Sequence, residues 1–197
     1  MSDLIKSIIE RRTSKPNTFF NKSPDPGIIR QSIEIARNAP NHHRTEPARF
    51  YLLDSKRIET VGQLFGEIVA GDRTDPHLVE RGKKKASEWG NCPGLLIVTC
   101  HTDQNAELIQ KKPAVVEEDY ATCCCICQNL LLLLEKEGIS SKWSTGPVWE
   151  HPHFAETIGL ISPKDERVVA LIFYGYSENK LEPRTLTPIN QHLVDYL

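Results

Sequence analysis

The chain has 197 residues, 39% of them hydrophobic, and its 24 basic and 26 acidic side chains leave a net charge of -2. That is enough apolar material for one compact core, and the chain reads as one domain over residues 1–197. The two signs of charge are intermixed, so there is no basic stripe of the kind that neutralises phosphodiester backbones, and nucleic acid is excluded as a partner.

The opening Met1-Ser2-Asp3-Leu4-Ile5-Lys6 lacks a basic start followed by an apolar run, so no export signal is read and a cytoplasmic location is expected. Ser2 is placed as N-cap of a first helix in which Leu4, Ile5, Ile8 and Ile9 recur on one face up to Arg11-Arg12. After the turn-rich Ser23-Pro24-Asp25-Pro26-Gly27, the residues Ile28, Ile29, Ile33 and Ala36 set out a second amphipathic helix, closed before Pro40. Residues 49–53 have strand composition, and Ile58, Val61, Leu64, Phe65 and Ile68 then return at helical spacing.

Residues 71–90 are charged, with Arg81, Lys83, Lys84 and Lys85 close together, and read as an exposed helix and its flanking loops, with a solvated face. The run Leu95-Leu96-Ile97-Val98-Thr99-Cys100 suits an inner strand covered on both sides. A long helix is expected from about Ala114 to Glu137, stopped by Gly138. Its greasiest part, residues 121–134, is interrupted by Thr122, Gln128 and Asn129 and is shorter than the roughly 20 residues needed to cross a bilayer, so it reads as a buried central helix and not a membrane span. Residues 168–174 supply one more buried strand, and the proline-bearing tail, 181–197, lies along another surface. The class is α+β, a small sheet surrounded by helices.

Six cysteines without an export signal argue for reduced thiols. Four crowd into Cys123-Cys124-Cys125-Ile126-Cys127; the pair Cys124 and Cys127 fits a redox or zinc half-site, but no second pair exists, and core packing is the plainer reading. His42 and His43 beside a helix end could simply cap its carbonyls, and His151-Pro152-His153 reads as a surface loop without a third ligand, so no metal is assigned. The glycine signatures of dinucleotide and phosphate loops, the hydrolase elbow and the zinc-protease motif are all missing. What remains is three polar segments where helices or strands end: Arg11-Arg12-Thr13-Ser14-Lys15, Ala39-Pro40-Asn41-His42-His43-Arg44 and Lys142-Trp143-Ser144-Thr145-Gly146-Pro147. A phosphate-bearing aromatic ligand calls for such cations, hydroxyls, amides and aromatic surface.

In order and spacing these segments resemble those of the nitroreductase superfamily of FMN-dependent oxidoreductases, its short branch in particular. Gly175-Tyr176 at a strand end, and Arg184 with Pro188 in the tail, are similar to further family positions. The resemblance implies a small mixed or antiparallel sheet surrounded by helices, in a homodimer whose C-terminal tails are exchanged and whose FMN sites lie at the subunit interface. It implies hydride transfer from NADH or NADPH through the flavin to a small acceptor such as a nitroaromatic or a quinone, with no side chain required as acid or base. Carried over residue by residue, Arg11 and Thr13 would contact the phosphate and ribityl region with Arg12 beside them. Lys15 would approach the pyrimidine edge, where negative charge grows on reduction. Trp143, Ser144 and Thr145 would flank the ring, Arg184 would be a second phosphate cation, and Asn38 and His42 would come from the other subunit.

Departures from the family pattern are Glu46-Pro47-Ala48 where Gln-Pro-Trp is common, Leu186 where a second basic residue is usual, and Ser177 in place of proline. They leave open a reductase for a different, specialised acceptor; beside it stand, as separate alternatives, a non-catalytic flavin-binding protein and a thiol-redox protein working through Cys124 and Cys127.

Overall fold

The computed structural model describes residues 3–178, 182 and 184–196, apart from the side chain of Asp3. Ser2, expected as an N-cap, lies outside the described residues. Among the described residues seven α-helices surround a four-stranded sheet: α1 (Asp3–Glu10), α2 (Pro26–Ala36), β1 (Ala48–Leu52), α3 (Ser55–Ala70), α4 (Pro76–Gly90), β2 (Leu95–His101), α5 (Glu107–Lys111), α6 (Val115–Lys136), β3 (Ser140–Ser144), α7 (Phe154–Ile158) and β4 (Glu166–Gly175). Strand order is β1-β2-β4-β3 and every pairing is antiparallel.

The two inner strands are the two apolar runs, and their alternation divides the core. Leu96, Val98, Cys100, Ala170 and Ile172 face α2 and α6, where Ile29, Ile126, Leu130 and Leu134 meet them. Leu95, Ile97, Leu171 and Phe173 face the other way, onto Ile58, Val61 and Trp89 of α3 and α4 and Phe154 of α7. A bulge between Val98 and Thr99 shifts the register, so Thr99 opposes Val168. The rim of the sheet is locked by Glu166, whose carboxylate accepts from Arg49 Nη1 at 2.6 Å, Tyr51 Oη at 2.7 Å, Thr99 Oγ1 at 2.7 Å and the Ser162 N–H at 2.9 Å.

Helix starts follow the expected chemistry. Asp25, Asp54 and Asp75 each accept a backbone N–H of the helix they precede, with proline at the first turn of α2 and α4. The charged stretch 71–90 holds the helix α4 after a short turn, with an exposed cationic side as expected, but the inner side of that helix is packed tightly on α3. A Cβ on Gly62 would stand 2.4 Å from Gly90 N, and one on Gly82 would stand 2.5 Å from the Gly66 carbonyl, so only glycines let these backbones touch. Among the described residues no helix is long and apolar enough to cross a membrane.

One apolar surface is left uncovered in the single chain. Leu4, Ile5, Ile8 and Ile9 of α1 are between 46% and 62% exposed, with Ile35 of α2 nearby at 49%. Leu4, Ile35, Leu132 and Leu133 line a shallow groove of about 280 Å3 between α1, α2 and α6. The described part of the tail, with Leu193, Val194 and Tyr196, is exposed throughout.

Candidate functional site

The first polar segment leaves α1 in extended form. The Arg12 guanidinium caps the helix, donating through Nη1 to the Ile9 carbonyl at 2.6 Å and the Arg11 carbonyl at 2.9 Å, and through Nε to the Glu182 carbonyl at 3.0 Å. The chain then runs parallel to β3: Thr13 bridges to Ser141, and the Ser14 N–H donates to the Ser141 carbonyl at 3.0 Å. Alternation along this stretch buries Ser14 and turns Thr13 and Lys15 outward. A turn at Pro16–Thr18 fixes Lys15, whose carbonyl accepts from the Thr18 N–H and hydroxyl. Arg11 and Arg12 face Glu135 near the end of α6; burial raises that carboxyl and the two arginines oppose the rise.

The third segment is the end of β3 beside this ledge. Trp143 packs half-buried against the α6 side of the core, Ser144 is buried and Thr145 exposed. The Ser141 hydroxyl is buried and has no hydrogen-bond partner. Lys142 lies over the Trp89 ring, 5.9 Å from its centroid. Burial holds its ammonium below the usual lysine range, Glu88 opposes this, and Lys85 and Lys15 push it further down. The neighbouring cleft, about 510 Å3, is lined by Asn17, Arg81, Lys84, Lys85, Ser87 and Glu88. The ledge is thus bordered by cations of α4 that had read as a solvated face; their spacing of three and four places them on one side of a helix.

The second segment is elsewhere. The Asn38 amide caps α2 by donating to the Ile35 carbonyl at 3.1 Å, and His42 Nδ1 sits 3.3 Å from Glu118 Oε2 near the start of α6. Glu118 and Glu135 are separated by about 25 Å at ~1.5 Å rise per helical residue, so within one chain His42 and the Arg11–Lys15 ledge lie at opposite ends of α6. Glu46 pairs with Arg37 at 3.1 Å on the rim of a cavity of about 550 Å3 that Asn38, Asn41, Arg44, Phe50 and Ile126 also line. Arg184 and Leu186 are exposed.

An antiparallel sheet wrapped by helices, with hydroxyl and cationic groups gathered where the first helix meets the last-but-one strand, defines an α+β fold of the nitroreductase type. The chain belongs to the Nitroreductase family, whose model matches residues 8–176. It is 28% identical over 195 residues to the Bacillus subtilis (strain 168) protein called "Putative NAD(P)H nitroreductase YfhC", covering 98% of this chain and 94% of that one. Among solved structures it is similar to a nitroreductase-like family protein from Bacillus cereus (TM-score 0.79, 25% identity, 99% of this chain and 96% of that one). It also shares its fold with a nitroreductase with bound FMN from Bacteroides fragilis NCTC 9343 (TM-score 0.77, 20% identity, 99% and 100% covered).

Proposed function

We propose that the chain binds FMN on the ledge of residues 11–15 and 142–145 and, with NADH or NADPH as donor, reduces a small acceptor such as a nitroaromatic or a quinone. The observation that carries this is the pairing of Ser14 with Ser141, which gathers Arg11, Thr13 and Lys15 beside Trp143, Ser144 and Thr145. The donor set suits the ligand: guanidinium, ammonium and hydroxyl groups for a phosphate, an aromatic side chain for a ring, and in the Ser141 hydroxyl a buried polar atom still lacking a partner. The FMN-bound nitroreductases from Bacteroides fragilis and Desulfitobacterium hafniense, similar in fold, support the same choice of cofactor.

Bound FMN would supply the hydride-carrying ring. Arg11 and Thr13, with Arg184 from the tail, would hold the phosphate, while Lys15 would place positive charge where the ring becomes negative on reduction. Arg12, whose guanidinium is taken up by three carbonyls, would keep the segment in shape and not grip the ligand. The uncovered face of α1 and α2 supports a homodimer, in which Asn38 and His42 would complete the site from the second copy. The open rim at Glu46 and Ala48 favours an acceptor different from those of relatives with a large ring there, which acceptor screening would identify.

The test is a visible absorption spectrum after incubation with FMN and removal of the excess, followed by anaerobic NADH and NADPH. Retained flavin that bleaches with either donor is the expected result. Retained flavin that never bleaches would make the chain a binding protein, and no retained flavin would overturn the reading.

A further inference from the structure

The loop of residues 40–47 is fastened to α6 at two points. The Thr122 hydroxyl donates to the Pro40 carbonyl at 2.9 Å, and the Thr45 hydroxyl donates to the buried Asp119 carboxylate. Asn41 braces the loop from within, its Nδ2 donating to Thr45 Oγ1 at 3.0 Å and its Oδ1 accepting from the Glu46 N–H at 3.0 Å. Glu118 and Asp119 are neighbours and Thr122 lies about one turn further along α6, so the same fastening sets His42 and His43 over Glu118. The two imidazoles stack, with centroids 4.2 Å apart and planes 13° from parallel. His42 Nδ1 is 3.3 Å and His43 Nε2 is 3.8 Å from Glu118 Oε2, and the three atoms all lie within 4.8 Å of one another. That oxygen is sealed from solvent and accepts no hydrogen bond, although the carboxylate as a whole is partly exposed.

Two imidazole nitrogens and a carboxylate oxygen are the donors a borderline divalent cation takes, at about 2.0–2.2 Å each, which puts ligand atoms around a tetrahedral ion roughly 3.3 Å apart. The His42 to Glu118 separation already has that value, whereas His43 Nε2, at 3.8 Å, has to close further, and because an imidazole lone pair lies in its ring plane one of the stacked rings has to turn for both nitrogens to meet one ion. The Asp119 carboxylate stays out of the group because Thr45 and Thr102 occupy its oxygens. The sequence alone did not suggest this, since the third ligand is far along the chain from the histidine pair.

The geometry points to a divalent-cation site of the zinc class made by His42 Nδ1, His43 Nε2 and Glu118 Oε2, with a fourth position open to water. It lies at the opposite end of α6 from the flavin ledge of the same chain and goes beyond the reductase reading. Its effect falls on the loop, which it would clamp to α6 and with it Asn41, Arg44 and Glu46 on the rim of the 550 Å3 cavity. The competing arrangement is a protonated histidine paired with Glu118, which needs no cation.

Zn2+ binding followed by calorimetry, and Co2+ binding followed by visible absorption, separate the two in the full chain, in an H42A/H43A variant and in Glu118→Gln. One equivalent is expected to bind the unaltered chain, roughly tenfold or more tightly than either variant, since losing a ligand costs at least what losing its outer partner does. The Co2+ spectrum should be that of nitrogen and oxygen ligands, and Zn2+ should raise the Tm of the unaltered chain while leaving H42A/H43A unmoved. Absence of binding, equal affinity in the variants, or intense thiolate absorption placing the ion on cysteines such as the exposed Cys125 would each overturn the site.

Discussion

The Ser14 N–H donates to the Ser141 carbonyl at 3.0 Å, and through that one bond the segment leaving α1 becomes an extra, parallel partner of β3. The side chains flanking Ser14 are thereby fixed by backbone geometry and not by their own contacts, which leaves Thr13 and Lys15 free to meet a ligand.

Lys15→Ala is expected to slow anaerobic reduction of bound flavin more than it weakens FMN binding. A buried donor aimed at developing charge is worth about 10²–10³ in rate, and Lys15 is exposed, so a loss on the order of tenfold is expected. Stopped-flow reduction and flavin titration give the two quantities separately. Equal losses in both would remove Lys15 from that role.

Gly62→Ala and Gly82→Ala should each destabilise the fold by about 1–3 kcal/mol, the range for overpacking a close contact, measured as a shift in the urea midpoint. The atoms a new Cβ would meet are the Gly90 amide nitrogen and the Ala86 and Gly66 carbonyls, backbone groups that cannot swing aside as a side chain would. Relief requires α3 and α4 to separate.

Much of this architecture is legible in the chain because burial leaves a period. β2 and β4 announce themselves as unbroken apolar runs, α2 and α3 as apolar residues three and four apart, and α6 as a long, mostly apolar stretch stopped by Gly138. The α3–α4 contact was not legible, since glycines that permit it carry no hydropathy signal, and α5, five residues long, is too short to show a period. β3 is mostly polar, and only its resemblance to a family motif marked it. At the site, Arg11, Thr13, Lys15 and Trp143–Thr145 were found as separate motifs and the sheet joined them. Lys84 and Lys85 were read as solvated because no local feature tells which exposed cations border a cleft. The pairing of His42 with Glu118 is a purely tertiary fact.

Glu166→Gln should cost about 3 kcal/mol at neutral pH, the low end for breaking a buried ion pair because Arg49 is partly exposed. Burial alone would raise the Glu166 carboxyl, but hydrogen bonds from Thr99, Tyr51, the Ser162 N–H and Arg49 outweigh it and hold the group below the usual carboxylate range. A carboxyl with a depressed folded-state pKa contributes stability above its unfolded value of about 4.3, and that contribution fades as pH falls through the folded value. Unfolding midpoints of the two proteins, measured across pH, should therefore converge in acid. A gap that persists unchanged at low pH would mean that shape and not charge makes Glu166 necessary.

A Cys124→Ala/Cys127→Ala variant is expected to keep its flavin-linked activity unchanged. The reactive species in thiol chemistry is the thiolate. Burial pushes the Cys127 thiol up to about 12, and burial likewise raises Cys124, so neither forms it readily at neutral pH. The substitutions should show instead as a loss of stability, about 1 kcal/mol for each sulfur removed from a packed site. Loss of activity with the fold and bound flavin intact would restore the thiol-redox reading.

An I8E/I9E double variant is expected to sediment as a monomer at concentrations where the unaltered chain is dimeric, and to retain less FMN. The four apolar residues of α1 repeat on one face, yet inside a single chain that face packs too little to account for their exposure, and it runs into the groove formed with Ile35 and Leu133. Apolar surface contributes about 25 cal/mol per Å2 when removed from water, so a second copy laid along this face gains stability that two glutamates per chain would abolish. Because His42 and the Arg11–Lys15 ledge sit at opposite ends of α6, a site needing both exists only in such a pair, and flavin retention should fall with dimerisation. A variant that stays dimeric would move the interface to another surface, whereas a monomer that holds FMN as tightly as before would place the whole flavin site within one chain.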